Sequence, residues 1–101
     1  MSIIASTSPD GRSLTIAIGG RFDFSEHKAF RDAYAQVEVK NVAIVVDLKN
    51  TEYLDSSALG MLLVLRERAG GDRADIILRG AREGISEVLS ISRFGQLFTI
   101  E

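Results

Sequence analysis

An acidic residue and two hydroxyls stand together near the middle of the chain, at Asp55, Ser56 and Ser57. An apolar run follows them, so the three residues lie at the start of a predicted helix. Unpaired backbone amides and the helix dipole favour oxygen ligands and negative charge at such a position. A phosphate group would be stable there. The same pattern also suits an ordinary N-cap at Asp55 or Ser56, which contributes about 1 kcal/mol to helix stability.

Asp55, Ser56 and Ser57 belong to a longer segment, 51–60, that is rich in polar residues. A second segment with side chains suited to chemistry is 20–23, Gly-Arg-Phe-Asp. In sheets built from alternating strands and helices, functional residues gather where strands end and helices begin. If the two segments adjoin, Asp23 comes within reach of Ser56. The two segments are therefore the candidate positions for a functional site.

The elements that would position these loops begin with a β-hairpin. Residues 3–7 and 14–18 flank Ser-Pro-Asp-Gly, and the second run alternates apolar and small or polar residues, as half-buried strands do. Gly19-Gly20 ends the hairpin. Ser25 is a good N-cap, and the apolar positions after it, from Ala29 to Val37, have helical spacing.

The rest of the chain alternates strands and helices. Residues 42–48 form a nearly unbroken β-branched run, which indicates a buried central strand. A helix over 56–69 is closed by two glycines, and a strand follows over 75–79. A helix is expected around residues 85–89, and residues 97–100 either form a short last strand or simply pack down on the domain.

This order predicts an α/β domain with a mainly parallel sheet and helices packed on it. One domain is expected to span residues 1–101, because the chain is the length of a single domain with one core.

The helix after Ser57 is apolar in almost every direction, from Leu59 through Met61 to Leu65. A surface helix normally carries one apolar stripe of limited width. Part of this helix is therefore expected to face either covering elements or a partner. Gly60 costs about 1 kcal/mol relative to Ala in a helix, which suggests close approach by another backbone.

Composition excludes several classes of function. The net charge is −2, with 12 basic and 14 acidic residues interleaved, so nothing indicates binding to nucleic acid or to an anionic membrane. There is no cysteine and no apolar run of membrane-spanning length, and residues 1–11 lack the charged start and apolar run that are typical of a signal peptide. We expect a cytoplasmic protein without cofactor or metal, and the sequence leaves its oligomeric state open, a monomer included.

The specific motifs resemble those of the STAS domain family, in particular its free-standing anti-sigma-factor antagonists. The resemblance rests on Val-Val-Asp-Leu at 45–48, on Tyr-Leu-Asp-Ser-Ser-Ala-Leu-Gly-Met-Leu-Leu at 53–63, and on the Gly-x-hydrophobic-Asp loop at 20–23. The order of elements agrees over nearly the whole chain. The resemblance implies the STAS fold.

The resemblance also implies a function. The unphosphorylated form would bind an anti-sigma factor that is itself a serine kinase and so free the sigma factor. Phosphorylation of Ser56 would reverse binding, and a PP2C-type phosphatase would restore it. Ser57 is the alternative acceptor. The partner surface would comprise Phe22, Asp23, Asp55, Ser57, Ala58, Leu59, Met61 and Leu62. Ala58 departs from the glycine of many members, which predicts an altered fit to the partner.

Other functions are weighed against this one. A serine hydrolase would need a base, but His27 is the only histidine and no Gly-x-Ser-x-Gly elbow occurs. A phosphoaspartate receiver would need Asp23, Asp47 and Asp55 to cluster around Mg²⁺. A third alternative keeps the STAS fold but acts in a stressosome-like scaffold or on another non-sigma target, such as a biofilm or motility regulator.

Overall fold

The computed structural model describes residues 3–101, which form two sheets and three α-helices. The strands are β1 (Ile3–Thr7), β2 (Ser13–Ile18), β3 (Gly20–Phe22), β4 (Ala43–Asp47), β5 (Thr51–Leu54), β6 (Ile76–Arg79) and β7 (Thr99–Ile100). The α-helices are α1 (His27–Tyr34), α2 (Ser56–Arg68) and α3 (Glu83–Ile91).

The larger sheet has five strands in the order β1-β2-β4-β6-β7. β1 and β2 pair antiparallel, and every other neighbouring pair in this sheet is parallel. The predicted hairpin, the central position of β4 and the α/β fold class are thereby confirmed. The turn of the hairpin is held by Asp10, whose carboxylate accepts hydrogen bonds from the Ser8 hydroxyl and the Arg12 amide.

The core lies on one face of this sheet. Side chains alternate between fully buried and half-buried along β2 and β4, as in strands with one covered face. Phe30 of α1, Leu62 of α2 and Leu89 of α3 are at most 1% exposed and belong to the same apolar cluster as the strand residues. All three helices therefore contribute to the core on this face.

A smaller second sheet consists of β3 and β5, which pair in parallel. Both were expected to be loops, and that expectation is wrong. The buried Thr51 side chain ties this sheet to the larger one, because its hydroxyl donates to the backbone carbonyl of Ile18 at 2.7 Å. The Gly20 amide donates to the carbonyl of Asn50 at 2.9 Å, and Gly20 has a φ of 75°, which favours glycine.

The start of α1 differs from the prediction that Ser25 is its N-cap. A single turn of 3-10 helix, Phe24–Glu26, precedes α1, and Asp23 caps that turn instead. Ser25 lies inside the turn and donates both its amide and its hydroxyl to Asp23. A carboxylate earlier in the chain thus takes the capping role, because the chain enters the helix through a tighter turn.

Gly60 lies in α2 where no other backbone comes close. A Cβ built at this position would meet nothing within 4 Å outside the helix's own backbone, so the prediction of close backbone approach is wrong. Its backbone is also compatible with any L residue, since Gly60 is not among the positive-φ glycines.

We therefore expect Gly60→Ala to stabilise the domain by about 1 kcal/mol, because alanine is the better helix former and nothing clashes. Chemical denaturation followed by circular dichroism would measure the change. Gly80→Ala is the matched control and should destabilise, since Gly80 has a φ of 78° and a Cβ there would lie 3.2 Å from Cβ of Lys49. Equal effects of the two substitutions would contradict this account.

Candidate functional site

The register of β3 and β5 brings the two predicted loops together. Phe22 pairs with Leu54 at the ends of these parallel strands, so the next residues, Asp23 and Asp55, follow adjacent strand ends. Neighbouring strands lie about 4.8 Å apart, which places the two aspartates at one edge. The structure thus places the two segments side by side. We call Asp23 and Asp55 the acidic pair.

Asp23 is held in place by short-range hydrogen bonds. Its carboxylate accepts from the Ser25 amide at 3.0 Å and from the Ser25 hydroxyl, and the Arg21 guanidinium lies 3.4 Å from its other oxygen. The Ser25 hydroxyl is the main cause that lowers the pKa of Asp23 below its ordinary value, and Arg21 acts in the same direction. Asp23 therefore carries its negative charge at neutral pH.

Asp55 is the N-cap of α2, and its carboxylate accepts from the Ala58 amide at 3.1 Å. Ser56 is the first residue of the helix, and its side chain is exposed. Ser57 follows it and is half-buried. Since Asp55 occupies the capping role, the Ser56 hydroxyl is not needed for it. An exposed oxygen thus stands at the positive end of a helix beside a carboxylate.

A groove of about 370 Å³ runs between α1 and α2, next to these serines. Ser57 lines it, together with the basic residues His27 and Arg31. Its other lining residues are Phe24, Phe30, Tyr34, Gly60, Met61 and Val64. The groove is mainly apolar, and Gly60 keeps it wide because it has no side chain.

Exposed apolar side chains surround the same region. Phe24 is 68% exposed and stacks on the His27 ring with 5.3 Å between ring centroids. Val64 is 51% and Leu63 is 38% exposed on α2. Part of α2 therefore faces away from its own sheet, as its all-round apolar composition predicted. Phe24 belongs to none of the sequence motifs, so the sequence did not single it out.

Four of the residues predicted for the partner surface are buried in the structure. Phe22, Ala58 and Leu62 are 0% exposed, and Met61 is 6% exposed. Phe22 instead packs against Phe30, with 5.2 Å between ring centroids. All four side chains belong to the apolar core cluster, and Met61 also lines the groove. Their contact with a partner stays a prediction. Leu59 is half-buried.

Arg21 was not recognised from the sequence. Its guanidinium carbon lies 3.9 Å from the centroid of the Tyr53 ring, across the β3–β5 pair. The contact holds the Arg21 guanidinium beside the acidic pair, where its positive charge offsets part of the negative charge. No local signal could have found it, because the two residues meet only through the pairing of β3 with β5.

The residues named for the serine hydrolase and phosphoaspartate receiver alternatives can be compared with the described part of the chain. Between residues 3 and 101, no hydrogen bond joins His27 to either serine, and no three His, Asp or Glu residues are grouped to hold a metal. Asp47 lies at the end of β4, where its carboxylate accepts from the Lys49 amide at 3.1 Å.

Residues 5–99 match the family model described as Mlab, STAS domain. The chain belongs to the STAS domain family. This confirms the resemblance read from the motifs, and the family is one of non-enzymatic regulators. A STAS-domain containing protein of Pseudomonas aeruginosa (strain UCBPP-PA14) is 54% identical over 100 residues, which cover 99% of each chain.

Solved structures with low sequence identity share the STAS fold. The unphosphorylated anti-sigma factor antagonist SpoIIAA has a TM-score of 0.80 at 16% identity, covering 98% of this chain and 87% of its own. The phosphorylated form of the Bacillus cell fate determinant SpoIIAA has a TM-score of 0.73 at 16% identity, covering 98% and 90%. An anti-sigma factor antagonist from Mycobacterium paratuberculosis has a TM-score of 0.79 at 19% identity, covering 97% and 82%. In residues 3–101 of this STAS domain, no helix is long and apolar enough to cross a membrane.

Proposed function

We propose that this STAS domain is an anti-sigma-factor antagonist whose residues 1–101 act as one domain in the cytoplasm. The unphosphorylated form binds an anti-sigma factor that is a serine kinase, and this frees the sigma factor. The kinase phosphorylates Ser56, which releases the partner, and a PP2C-type phosphatase removes the phosphate. The observation that carries the proposal is the exposed hydroxyl of Ser56 at the start of α2, next to the acidic pair and adjacent in sequence to Ser57, which lines an apolar groove.

Three features support Ser56 as the acceptor. Its side chain is exposed, so a kinase can reach it. The backbone amides at the start of α2 can donate hydrogen bonds to a phosphate without unfolding of the domain. Ser57 is half-buried in the wall of the groove, where a phosphate would enter an apolar environment.

The docking surface would be the α1–α2 groove with Phe24, Leu63 and Val64 at its margin. Exposed apolar side chains around a groove are typical of a protein-binding surface. A partner on this surface would cover a neutral hydroxyl that lies next to the acidic pair. This arrangement makes binding sensitive to added charge at that hydroxyl.

Phosphorylation adds about −1.5 to −2 charges beside the acidic pair. A bound partner would have to bury those charges next to carboxylates, which is strongly unfavourable. A near-complete switch needs about 5.5 kcal/mol of differential binding. Desolvation and repulsion of one phosphate supply most of this difference, so the domain itself need not change shape.

Incubation with the serine kinase and labelled ATP tests the choice of acceptor. We expect Ser56→Ala to abolish phosphate incorporation and the matched variant Ser57→Ala to retain it. Phosphopeptide mapping of the wild-type chain should place the phosphate on Ser56. Incorporation that is lost in Ser57→Ala and kept in Ser56→Ala would contradict the proposal.

A second candidate keeps the switch and changes the partner. The description of the family model is Mlab, STAS domain, and the 54% identical relative is called only a STAS-domain containing protein. Neither description names a sigma factor or an anti-sigma factor, so the second candidate is a partner-switch or scaffold module with a non-sigma target. Binding of the purified chain to a purified anti-sigma factor discriminates, since the second candidate predicts none.

A further inference from the structure

The outer edge of β1 is free of any partner strand within residues 3–101. β1 is the first strand in the order of the larger sheet and pairs only with β2. Its sequence, Ile-Ile-Ala-Ser-Thr, contains no charge and no proline. The opposite edge is different, because β7 has two residues and the ion pair between Arg79 and Glu101, at 2.9 Å, lies beside it. Short strands and charges protect sheet edges from further pairing, and β1 has neither.

The backbone groups of β1 that point outward can be assigned. The Ser8 amide donates to the Ser13 carbonyl at 2.9 Å, so this pair directs its backbone groups across the ladder. Such pairs alternate along an antiparallel ladder. Ile3, Ala5 and Thr7 therefore turn their amides and carbonyls away from β2. These three residues form a row of available donors and acceptors.

The neighbouring helix presents a surface that a second strand and helix could approach. Ala5 of β1 lines a shallow groove with Ala29 and Ala33 of α1, all of them small residues. Lys28 and Asp32 line the same groove and form an exposed ion pair at 2.8 Å. An antiparallel copy of α1 would set Lys28 against Asp32 of the second copy, and the reverse.

We infer that β1 pairs antiparallel with β1 of a second copy of this chain, around a two-fold axis at Ala5. Ile3 then pairs with Thr7 of the second copy, and about six backbone hydrogen bonds form. The occupant is a second copy because both the strand row and the Lys28–Asp32 charges are complementary to themselves. The two larger sheets become one continuous sheet. This surface involves neither Ser56 nor the α1–α2 groove, so it is independent of the proposed partner switch.

Sedimentation equilibrium of the purified chain, from micromolar to millimolar concentration, tests the inference. We expect the mass to rise from 11.0 kDa to twice that value. Amide exchange by NMR at high concentration should protect Ala5 and Thr7 as well as Ile4 and Ser6. A mass of 11.0 kDa at every concentration would overturn the inference.

Ala5→Pro removes an outward amide and leaves the β1–β2 hydrogen bonds intact, so it should weaken the dimer about 10-fold or more. Ala5→Ser keeps the amide and is its matched control. Asp32→Lys should weaken the dimer about 5- to 10-fold by setting like charges together. The double variant Lys28→Asp/Asp32→Lys should restore wild-type affinity, and it keeps the test valid if Ala5→Pro does not fold. A dimer unaffected by all of these substitutions would place the interface elsewhere and refute the inference.

Discussion

Ser56→Asp is expected to weaken binding of the anti-sigma partner by about 100-fold, which corresponds to about 2.7 kcal/mol. The substitution sets a third carboxylate beside Asp23 and Asp55 at the start of α2. Like charges buried together at an interface cost several kcal/mol. Calorimetric titration of the purified partner with each variant measures the change. Ser56→Ala should bind as the wild type does, within about twofold.

Two controls separate charge from shape at this position. Ser56→Asn has the size of aspartate without its charge and should retain binding. Ser90→Asp adds the same charge at an exposed position on α3, away from the groove residues, and should also retain binding. Equal affinities of the Asn and Asp variants at Ser56 would show that charge there does not control docking.

The second large expected effect is on stability, and it should differ between two aromatic residues that are close in sequence, Phe22 and Phe24. Phe22→Ala should lower the free energy of unfolding by about 3–5 kcal/mol, because Phe22 is fully buried against Phe30. Phe24→Ala should change stability by less than about 0.5 kcal/mol, since that side chain is mostly exposed. Urea denaturation of both variants measures these differences.

Partner binding should respond in the opposite order. Phe24→Ala should lose about 10-fold or more in affinity, as expected for an exposed aromatic at a docking surface. Folded Phe22→Ala should bind almost as the wild type does, and Phe22→Leu replaces it if the alanine variant does not fold. Loss of binding by the Phe22 variants without loss of stability would contradict the assignment of Phe22 to the core.

The parts of the fold that the sequence predicted are those encoded by local patterns. Alternation of apolar residues along β2 and the β-branched run of β4 identify their strands directly, because each pattern spans at least five residues. The apolar run after Ser57 similarly identified α2. The candidate site followed from Asp55 and Ser56 at the start of that helix, together with the family motifs.

The missed features depend on contacts between distant residues. β3 and β5 have three and four residues and meet across about thirty positions of sequence, so neither carries a recognisable period. The motif containing Phe22 did not show which face of β3 turns to the core. The prediction that another backbone approaches Gly60 is wrong for the same reason. The space around a helix residue depends on how the helices pack and not on the helix sequence alone.

The most direct test of the proposed switch uses phosphate itself. A chain carrying phosphoserine at position 56 is titrated with the purified anti-sigma partner, before and after treatment with a PP2C-type phosphatase. We predict binding at least about 100-fold weaker than that of the unmodified chain, with full recovery once the phosphate is removed. Equal affinity of the phosphorylated and dephosphorylated chains would contradict the claim that charge at Ser56 controls partner docking.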